Sequence, residues 1–184
     1  MEIYYSTPYA LDGDLGKAYN RYMNLLPSDE DWMCFTDGDT MWLMADYGHQ
    51  INDVILRSPQ AGLITCLTNR IGNSLQLHGG RISEDPNILN HKKIAKSLYK
   101  NGRTGLKQIR SNISGHCMII KKSTWKELGG FPEGIGILDV DTIFTQELLK
   151  KKKTIFCMTG VYIFHYYRME TGIHNKEHLK VKMA

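Results

Sequence analysis

Apolar stretches that predict strands alternate along this chain with amphipathic stretches that predict helices. Apolar residues recur at steps of three and four over residues 15–26 and over about 46–57, and Asp14 can cap the first of these helices. Four short apolar stretches predict strands, and the second is apolar almost throughout, as in a strand covered on both faces. They are residues 3–7, 32–36, 62–67 and 116–120. This alternation predicts an α/β fold.

The chain between residues 72 and 115 is more polar and basic, and it predicts a single helix near residues 88–99. Its composition indicates a mobile excursion that could serve as a lid. Thr124 and Glu127 have the spacing of a capping box for a short helix that ends at Gly129. A helix from about Asp139 and two strands, at residues 154–158 and 161–166, complete the predicted elements.

Length and composition limit the number of domains and the kinds of partner that we expect for this protein. With 184 residues, 42% of them hydrophobic, the chain predicts one domain over residues 1–184, with a core of about 1–168 and a polar tail of 169–184. Since no window holds the roughly 18 apolar residues of a membrane span, and the start is unlike a signal peptide, we expect a cytoplasmic protein. The net charge of +4 does not demand a nucleic-acid partner. The four cysteines lie far apart in apolar runs, which predicts buried free thiols.

Acidic pairs of the form Asp-x-Asp occur four times, and one pair stands out. Asp37 and Asp39 follow directly on the apolar run at residues 32–36, and the carboxyl end of a strand is where open α/β sheets bind ligands. Two carboxylates repel each other there unless a cation or hydrogen-bond donors compensate them. Mg²⁺ or Mn²⁺ fits best, because both prefer oxygen ligands and leave positions for substrate phosphates. We expect Gly38 to allow a tight turn between the two aspartates.

Five blocks of sequence resemble a known family. They are Gly16-Lys17-Ala18-Tyr19-Asn20, Trp32-Met33-Cys34-Phe35-Thr36-Asp37-Gly38-Asp39, Gly129-Gly130-Phe131-Pro132, Leu138-Asp139-Val140-Asp141 and His165-Tyr166-Tyr167-Arg168. In this order they resemble a compact family 2 type glycosyltransferase. The resemblance implies a GT-A-like fold, with a mixed, mostly parallel central sheet flanked by helices.

The resemblance also implies a reaction and a set of site residues. It implies an inverting, metal-dependent transfer of a hexosyl or N-acetylhexosaminyl group from a nucleotide-sugar donor, with UDP favoured, to a hydroxyl on a glycan, a lipid-linked acceptor or a protein. Asp37 and Asp39 match the residues that hold Mn²⁺ or Mg²⁺ on the donor diphosphate, with Gly38 between them. His165 matches a histidine that completes the metal shell in some relatives, and Asp139 matches the base that deprotonates the acceptor.

The chain departs from the family where relatives bind the nucleoside. The second strand that usually carries this segment is missing, so the fold is abbreviated in its N-terminal, nucleoside-binding half, and a homo-oligomer could supply the missing strand. The residues assigned to what remains of the pocket follow the first predicted strand or lie in the first predicted helix. They are Thr7, Pro8, Tyr9, Asp12, Lys17 and Asn20. Leu138 also replaces the family's glutamate.

Simpler roles and other functions compete with this interpretation. Asp139 could cap its helix, His165 could be a core histidine, and Lys17 could be a solvated helix residue. By position alone, Thr68-Asn69-Arg70 is a candidate substrate-facing loop. The alternative function is a non-catalytic nucleotide- or glycan-binding module on the same fold. A nucleic-acid-binding protein, based on the basic stretch from Lys92 to Arg110, is a third, and His174-x-x-Glu177-His178 also fits an inverted zinc-protease motif.

Overall fold

A computed structural model describes residues 1–167, and the predicted tail and the motif at residues 174–178 lie outside them. The elements are β1 (Ile3–Ser6), α1 (Leu15–Asn24), β2 (Trp32–Thr36), β3 (Thr40–Trp42), α2 (Tyr47–Arg57), β4 (Leu63–Thr68), α3 (Ile88–Gly102), β5 (Leu106–Ile109), β6 (Cys117–Lys121), α4 (Lys122–Leu128), α5 (Val140–Lys150) and β7 (Ile155–His165). The predicted α/β class is confirmed.

The described chain divides into two compact units, each built from separate stretches of sequence. The first unit comprises residues 1–38, 60–65 and 108–156. The second comprises residues 39–59, 66–107 and the described residues from 157 on. The prediction of one domain over residues 1–184 stays a prediction.

The sheet of the first unit has mixed strand directions. β1 pairs with β2 in parallel, β2 pairs with β6 in antiparallel fashion, and β4 meets β6 in antiparallel fashion at Ile64 and Ile119. Strands β1, β2 and β4 therefore run in one direction and β6 runs in the other. Trp32, Cys34 and Phe35 on β2 have 0% of their surface exposed, which agrees with the prediction of a strand covered on both faces.

Helix α1 begins as its sequence predicts. The Asp14 carboxylate accepts a hydrogen bond from the Lys17 N–H at 3.1 Å, which is an N-cap. The buried face of α1 places Tyr19 with its ring centroid 4.7 Å from that of Phe35 and 4.7 Å from that of Phe131. Gly16 allows a close approach to the turn before α5, because a side chain there would overlap the carbonyl oxygen of Pro132.

The second unit is organised around β7. β3 pairs with it in antiparallel fashion, so that Thr40 lies opposite His165, and β5 also pairs with it. The core cluster of this unit joins Leu43, Ala95, Tyr162 and Phe164. Because Thr40 pairs with His165, the preceding residue, Asp39, lies beside the end of β7.

Three predictions about elements are wrong. Thr124 does not begin a helix with a capping box, because α4 starts earlier, where the N–H groups of Lys122 and Ser123 donate to the backbone carbonyls of Asp31 and Asp29. The two final strands are one continuous β7, since the Thr159 N–H donates to the Gly105 carbonyl in the middle of it. The stretch between residues 72 and 115 contains a strand, β5, in addition to its predicted helix.

The structure also bears on the predicted state of the cysteines and on the search for a membrane span. All four cysteines are free and buried, as predicted. Among the described residues the longest helix, α3, has 15 residues, and none combines the length with the apolar character that a bilayer span requires.

Candidate metal centre

The loop after β2 carries Asp37, Gly38 and Asp39 at the carboxyl end of the strand, as the sequence predicts. Hydrogen bonds hold its backbone on both sides: the Asp37 N–H donates to the His116 carbonyl at 3.2 Å, and the Asp39 carbonyl accepts from the Tyr166 N–H at 2.9 Å. The Asp39 side chain is 44% exposed, and Asp37 is half-buried. A fixed backbone thus presents two carboxylates that remain accessible to a ligand.

His165 is the last residue of β7, and its side chain is only 1% exposed. Its Nε2 lies 3.1 Å from Oδ1 of Asp39, although the two residues are 126 positions apart in the chain. The alternative in which His165 is a core histidine satisfied by a neighbour also fits its burial and its contact with Asp39, so the metal role stays a prediction. An imidazole beside a carboxylate is a recurrent arrangement of metal ligands.

Asp37, Asp39 and His165 each offer a ligand atom, and these atoms all lie within 4.8 Å of one another. These are the three residues that the sequence predicted as metal ligands. The two carboxylates suit Mg²⁺ and Mn²⁺ alike, and the imidazole, a ligand of transition metals, favours Mn²⁺ of the two. A divalent cation would also relieve the repulsion between the carboxylates.

The residues predicted for the nucleoside pocket begin beside this loop. The Thr7 and Thr36 hydroxyl oxygens are 3.3 Å apart, and Thr7 also lies against Gly38. The chain then turns through Pro8 into a groove of about 700 Å³. Four of the six predicted residues line this groove, namely Tyr9, Asp12, Lys17 and Asn20. Tyr9 is 70% exposed, so its ring is available as a stacking surface.

Three of the groove residues are hydrogen-bonded within the protein. Lys17 Nζ donates to Asp12 Oδ2 at 2.7 Å, and this hydrogen bond lowers the pKa of Asp12 and raises that of Lys17. The Asn20 amide is fully engaged: its nitrogen donates to the Phe131 carbonyl and to Glu133, and its oxygen accepts from the Trp125 indole and the Phe131 N–H. Asn20 therefore joins α1 to the turn at residues 129–133.

Asp139 precedes α5 with an unusual backbone. Its φ is 63°, in the left-handed region that non-glycine residues seldom adopt, and its exposed side chain makes no capping hydrogen bond. The alternative in which this side chain caps the helix is therefore wrong. A strained, exposed carboxylate at a helix start is a position typical of functional residues.

Sequence reasoning missed part of the surroundings of the site. Burial raises the pKa of Tyr19, and the negative charges of Asp37 and Asp141 raise it further. Asp141 is half-buried and packs so closely on Gly115 that a side chain there would press against it. Tyr19, Asp37 and Asp141 lie in three of the blocks quoted above, but the sequence does not show that they approach one another, because they come from separate elements.

The candidate substrate-facing loop at Thr68-Asn69-Arg70 is a wrong prediction. All three residues are buried, with Asn69 1% and Arg70 2% exposed. The Asn69 side chain donates to the carbonyl of His165, the Arg70 side chain donates to the carbonyl of Tyr167, and the Thr68 hydroxyl donates to the Asn69 side-chain oxygen.

Comparisons with known proteins add no assignment. No protein-family model matches the sequence, and no curated protein is significantly similar to it. The interpretation of the site therefore depends on its geometry and chemistry.

Proposed function

We propose that this protein is a GT-A-like, metal-dependent inverting glycosyltransferase that moves a sugar from a nucleotide-sugar donor to a hydroxyl acceptor. The observation that supports the proposal most strongly is the approach of His165 Nε2 to Asp39 Oδ1, at 3.1 Å, beside the carboxylate of Asp37. A buried imidazole and two accessible carboxylates suit a divalent cation that must also bind a diphosphate.

In the proposed reaction, the bond between the anomeric carbon and the diphosphate oxygen breaks while the acceptor oxygen attacks from the opposite face. Asp37, Asp39 and His165 would hold the cation, which when bound stabilises the negative charge of the departing diphosphate. Asp139 would accept the proton of the acceptor hydroxyl as the new bond forms. The products are the glycoside with inverted configuration, the nucleoside diphosphate and the proton.

The groove at Tyr9 is the proposed site for the nucleoside. Its lining begins at Tyr9, two positions after Thr7, and Thr7 lies against Gly38 of the metal loop, so we place the nucleoside in the groove and the diphosphate toward Asp37. An exposed tyrosine ring can stack on a base, and the Asp12 and Lys17 side chains can hydrogen-bond to a ribose. We favour a UDP-linked donor.

The test begins with the donor. A thermal-shift screen of nucleotide sugars in Mn²⁺ identifies a ligand that binds the folded protein. Donor hydrolysis and transfer are then measured with Mn²⁺ and after chelation, in the wild type and in Asp139→Asn. We expect metal-dependent turnover in the wild type, a loss of about 10²- to 10⁴-fold in Asp139→Asn, and unchanged nucleotide binding in that variant.

A matched control separates the role of Asp139 from a general effect of removing a carboxylate. Asp29→Asn removes an exposed aspartate that pairs with Lys126 at 2.6 Å, and it should leave turnover unchanged. Metal-dependent nucleotide binding without turnover in any form would support a non-catalytic binding module instead. Absence of both binding and turnover for every donor would contradict the proposal.

A further inference from the structure

Asn69, the first residue after β4, contacts the backbone of the proposed metal ligand His165. Its side-chain nitrogen donates to the His165 carbonyl at 3.0 Å, and its side-chain oxygen accepts from the His165 N–H at 2.7 Å. One side chain thus makes the pair of bonds that an adjacent antiparallel strand would make to this residue. Because Asn69 is 1% exposed, no water competes for these bonds.

Hydrogen bonds hold Asn69 in place. The next residue, Arg70, also binds the backbone that follows His165. The Thr68 hydroxyl donates to the Asn69 side-chain oxygen at 3.2 Å, and the Asn69 carbonyl accepts from the Ser83 N–H at 2.9 Å. Arg70 Nε donates to the Tyr167 carbonyl at 2.8 Å. Arg70 Nη1 lies 2.8 Å from a carboxylate oxygen of Glu84. The two groups form an ion pair, but their geometry does not meet the angle required of a hydrogen bond.

Asp39 and His165, the two ligands that contact each other in the candidate centre, differ in how they are held. The Asp39 carboxylate is 44% exposed, whereas the His165 ring is 1% exposed and is enclosed by its packing neighbours. The position of the ring therefore follows the position of its backbone. His165 is the last residue of β7, and Asn69 binds both its N–H and its carbonyl, so Asn69 holds the backbone that carries the ring.

We propose that Asn69 is a positioning residue for His165, and that it sets the affinity of the site for a divalent cation by acting through His165. This inference depends on the proposed function, because it takes His165 as a metal ligand. Partners that orient a ligand typically change metal affinity by about 10- to 100-fold when they are removed.

The experiment is a double-mutant cycle on Mn²⁺ affinity, measured by titration calorimetry without donor or acceptor. Four proteins are compared: the wild type, Asn69→Ala, His165→Ala and the double variant. We expect Asn69→Ala to weaken Mn²⁺ binding by about 10-fold in the wild-type background. In the His165→Ala background the same change should have no further effect, since the residue that transmits it is gone. A merely structural role would weaken binding equally in both backgrounds.

Controls keep the result independent of folding. Asn87→Ala removes an exposed asparagine of the same unit, whose side chain also accepts a backbone hydrogen bond at 3.0 Å, and it should leave Mn²⁺ affinity unchanged. If Asn69→Ala does not fold, Asn69→Asp takes its place: it can still accept from the His165 N–H but can no longer donate to the His165 carbonyl. It should weaken Mn²⁺ binding in the same His165-dependent way.

The outcomes separate this inference from the proposed function. If His165→Ala weakens Mn²⁺ binding and a folded Asn69 variant binds Mn²⁺ as the wild type does, the positioning role is overturned and the metal centre stands. Equal losses in both backgrounds overturn it as well. If neither Asp39→Asn nor His165→Ala changes Mn²⁺ binding, the metal centre itself is wrong, and the inference falls with it.

Discussion

Gly38 lies between the two aspartates of the candidate metal centre, and the sequence predicted that it allows a tight turn there. Its φ is outside the left-handed region, and a methyl group added there would meet nothing closer than Thr7 Cγ2 at 3.7 Å. Gly16 on α1 differs, because a methyl group there would overlap the Pro132 carbonyl oxygen. At the scale of the residue, packing therefore requires glycine at position 16 but not at position 38.

Alanine substitutions at these two glycines test this difference. Gly38→Ala should leave the free energy of unfolding unchanged or raise it by up to about 1 kcal/mol, because alanine restricts the unfolded chain. Gly16→Ala should lower it by about 1–3 kcal/mol, since the overlap is with backbone that must shift. Urea denaturation measures both changes. Wild-type stability in Gly16→Ala would show that the turn at Pro132 moves freely.

At the scale of the element, one side chain joins helix α1 to the turn at residues 129–133. Asn20 donates to the Phe131 carbonyl at 3.0 Å and to Glu133 at 2.7 Å, and its oxygen accepts from the Trp125 indole and the Phe131 N–H, both at 2.8 Å. Asp139 lies six residues after the end of this turn. The contact of α1 with the turn thus supports the segment that carries the proposed base.

Removing the Asn20 amide should destabilise the protein. Asn20→Ala leaves the Trp125 indole and the Phe131 backbone without their partner, and we expect a loss of about 2–4 kcal/mol in the free energy of unfolding. Asn24→Ala, one turn later on the same helix, removes one exposed hydrogen bond to the Asn20 carbonyl and should cost at most about 0.5 kcal/mol. Equal costs for the two variants, measured by urea denaturation, would contradict this role.

At the scale of the whole molecule, buried tyrosines link stability to pH. Burial raises the pKa of Tyr19 in the first unit and of Tyr162 in the second, and nearby carboxylates add to both shifts. A hydrogen bond to Cys117 raises the pKa of the buried Cys34 thiol in the same direction. The folded protein therefore keeps protons that the unfolded chain releases in alkaline solution.

The sign of the effect follows from this difference in protons. Below the ordinary tyrosine pKa of about 10 both states are protonated and the contribution is complete, while above it the unfolded state gains stability by ionising. We expect the free energy of unfolding to fall as pH rises above about 8.5, where the unfolded Cys34 thiol ionises, and to fall further above about 10, where the unfolded tyrosines ionise. In Tyr19→Phe the free energy of unfolding should fall less steeply with pH, by up to about 1.4 kcal/mol per pH unit, because the unfolded variant releases one proton fewer. Parallel curves for the two proteins between pH 8 and 11 would contradict this.

The sequence predicted the features that depend on neighbouring residues, and it missed those that depend on contacts between residues far apart in the chain. β2 has the predicted bounds, because its apolar run is bounded by polar loops. β3, at Thr40–Trp42, was missed, since three residues of mixed polarity form a strand only by pairing with β7. In the site, Asp37 and Asp39 could be located from their own context. The roles of Asn20 and Asn69 could not, because an asparagine shows no pattern that identifies a bonding partner about a hundred positions away.

The sequence by itself determined the α/β class, the starts of the main helices and the position of two aspartates at the end of an apolar strand. These features depend on hydrophobic periodicity and on the chemistry of neighbouring residues. Only the tertiary structure decided that His165 meets Asp39 and that Asn69 holds His165, across 126 and 96 positions of the chain. The physical reason is strand register: shifting a strand by one residue turns every side chain to the opposite face, and register is set by the packing of distant elements.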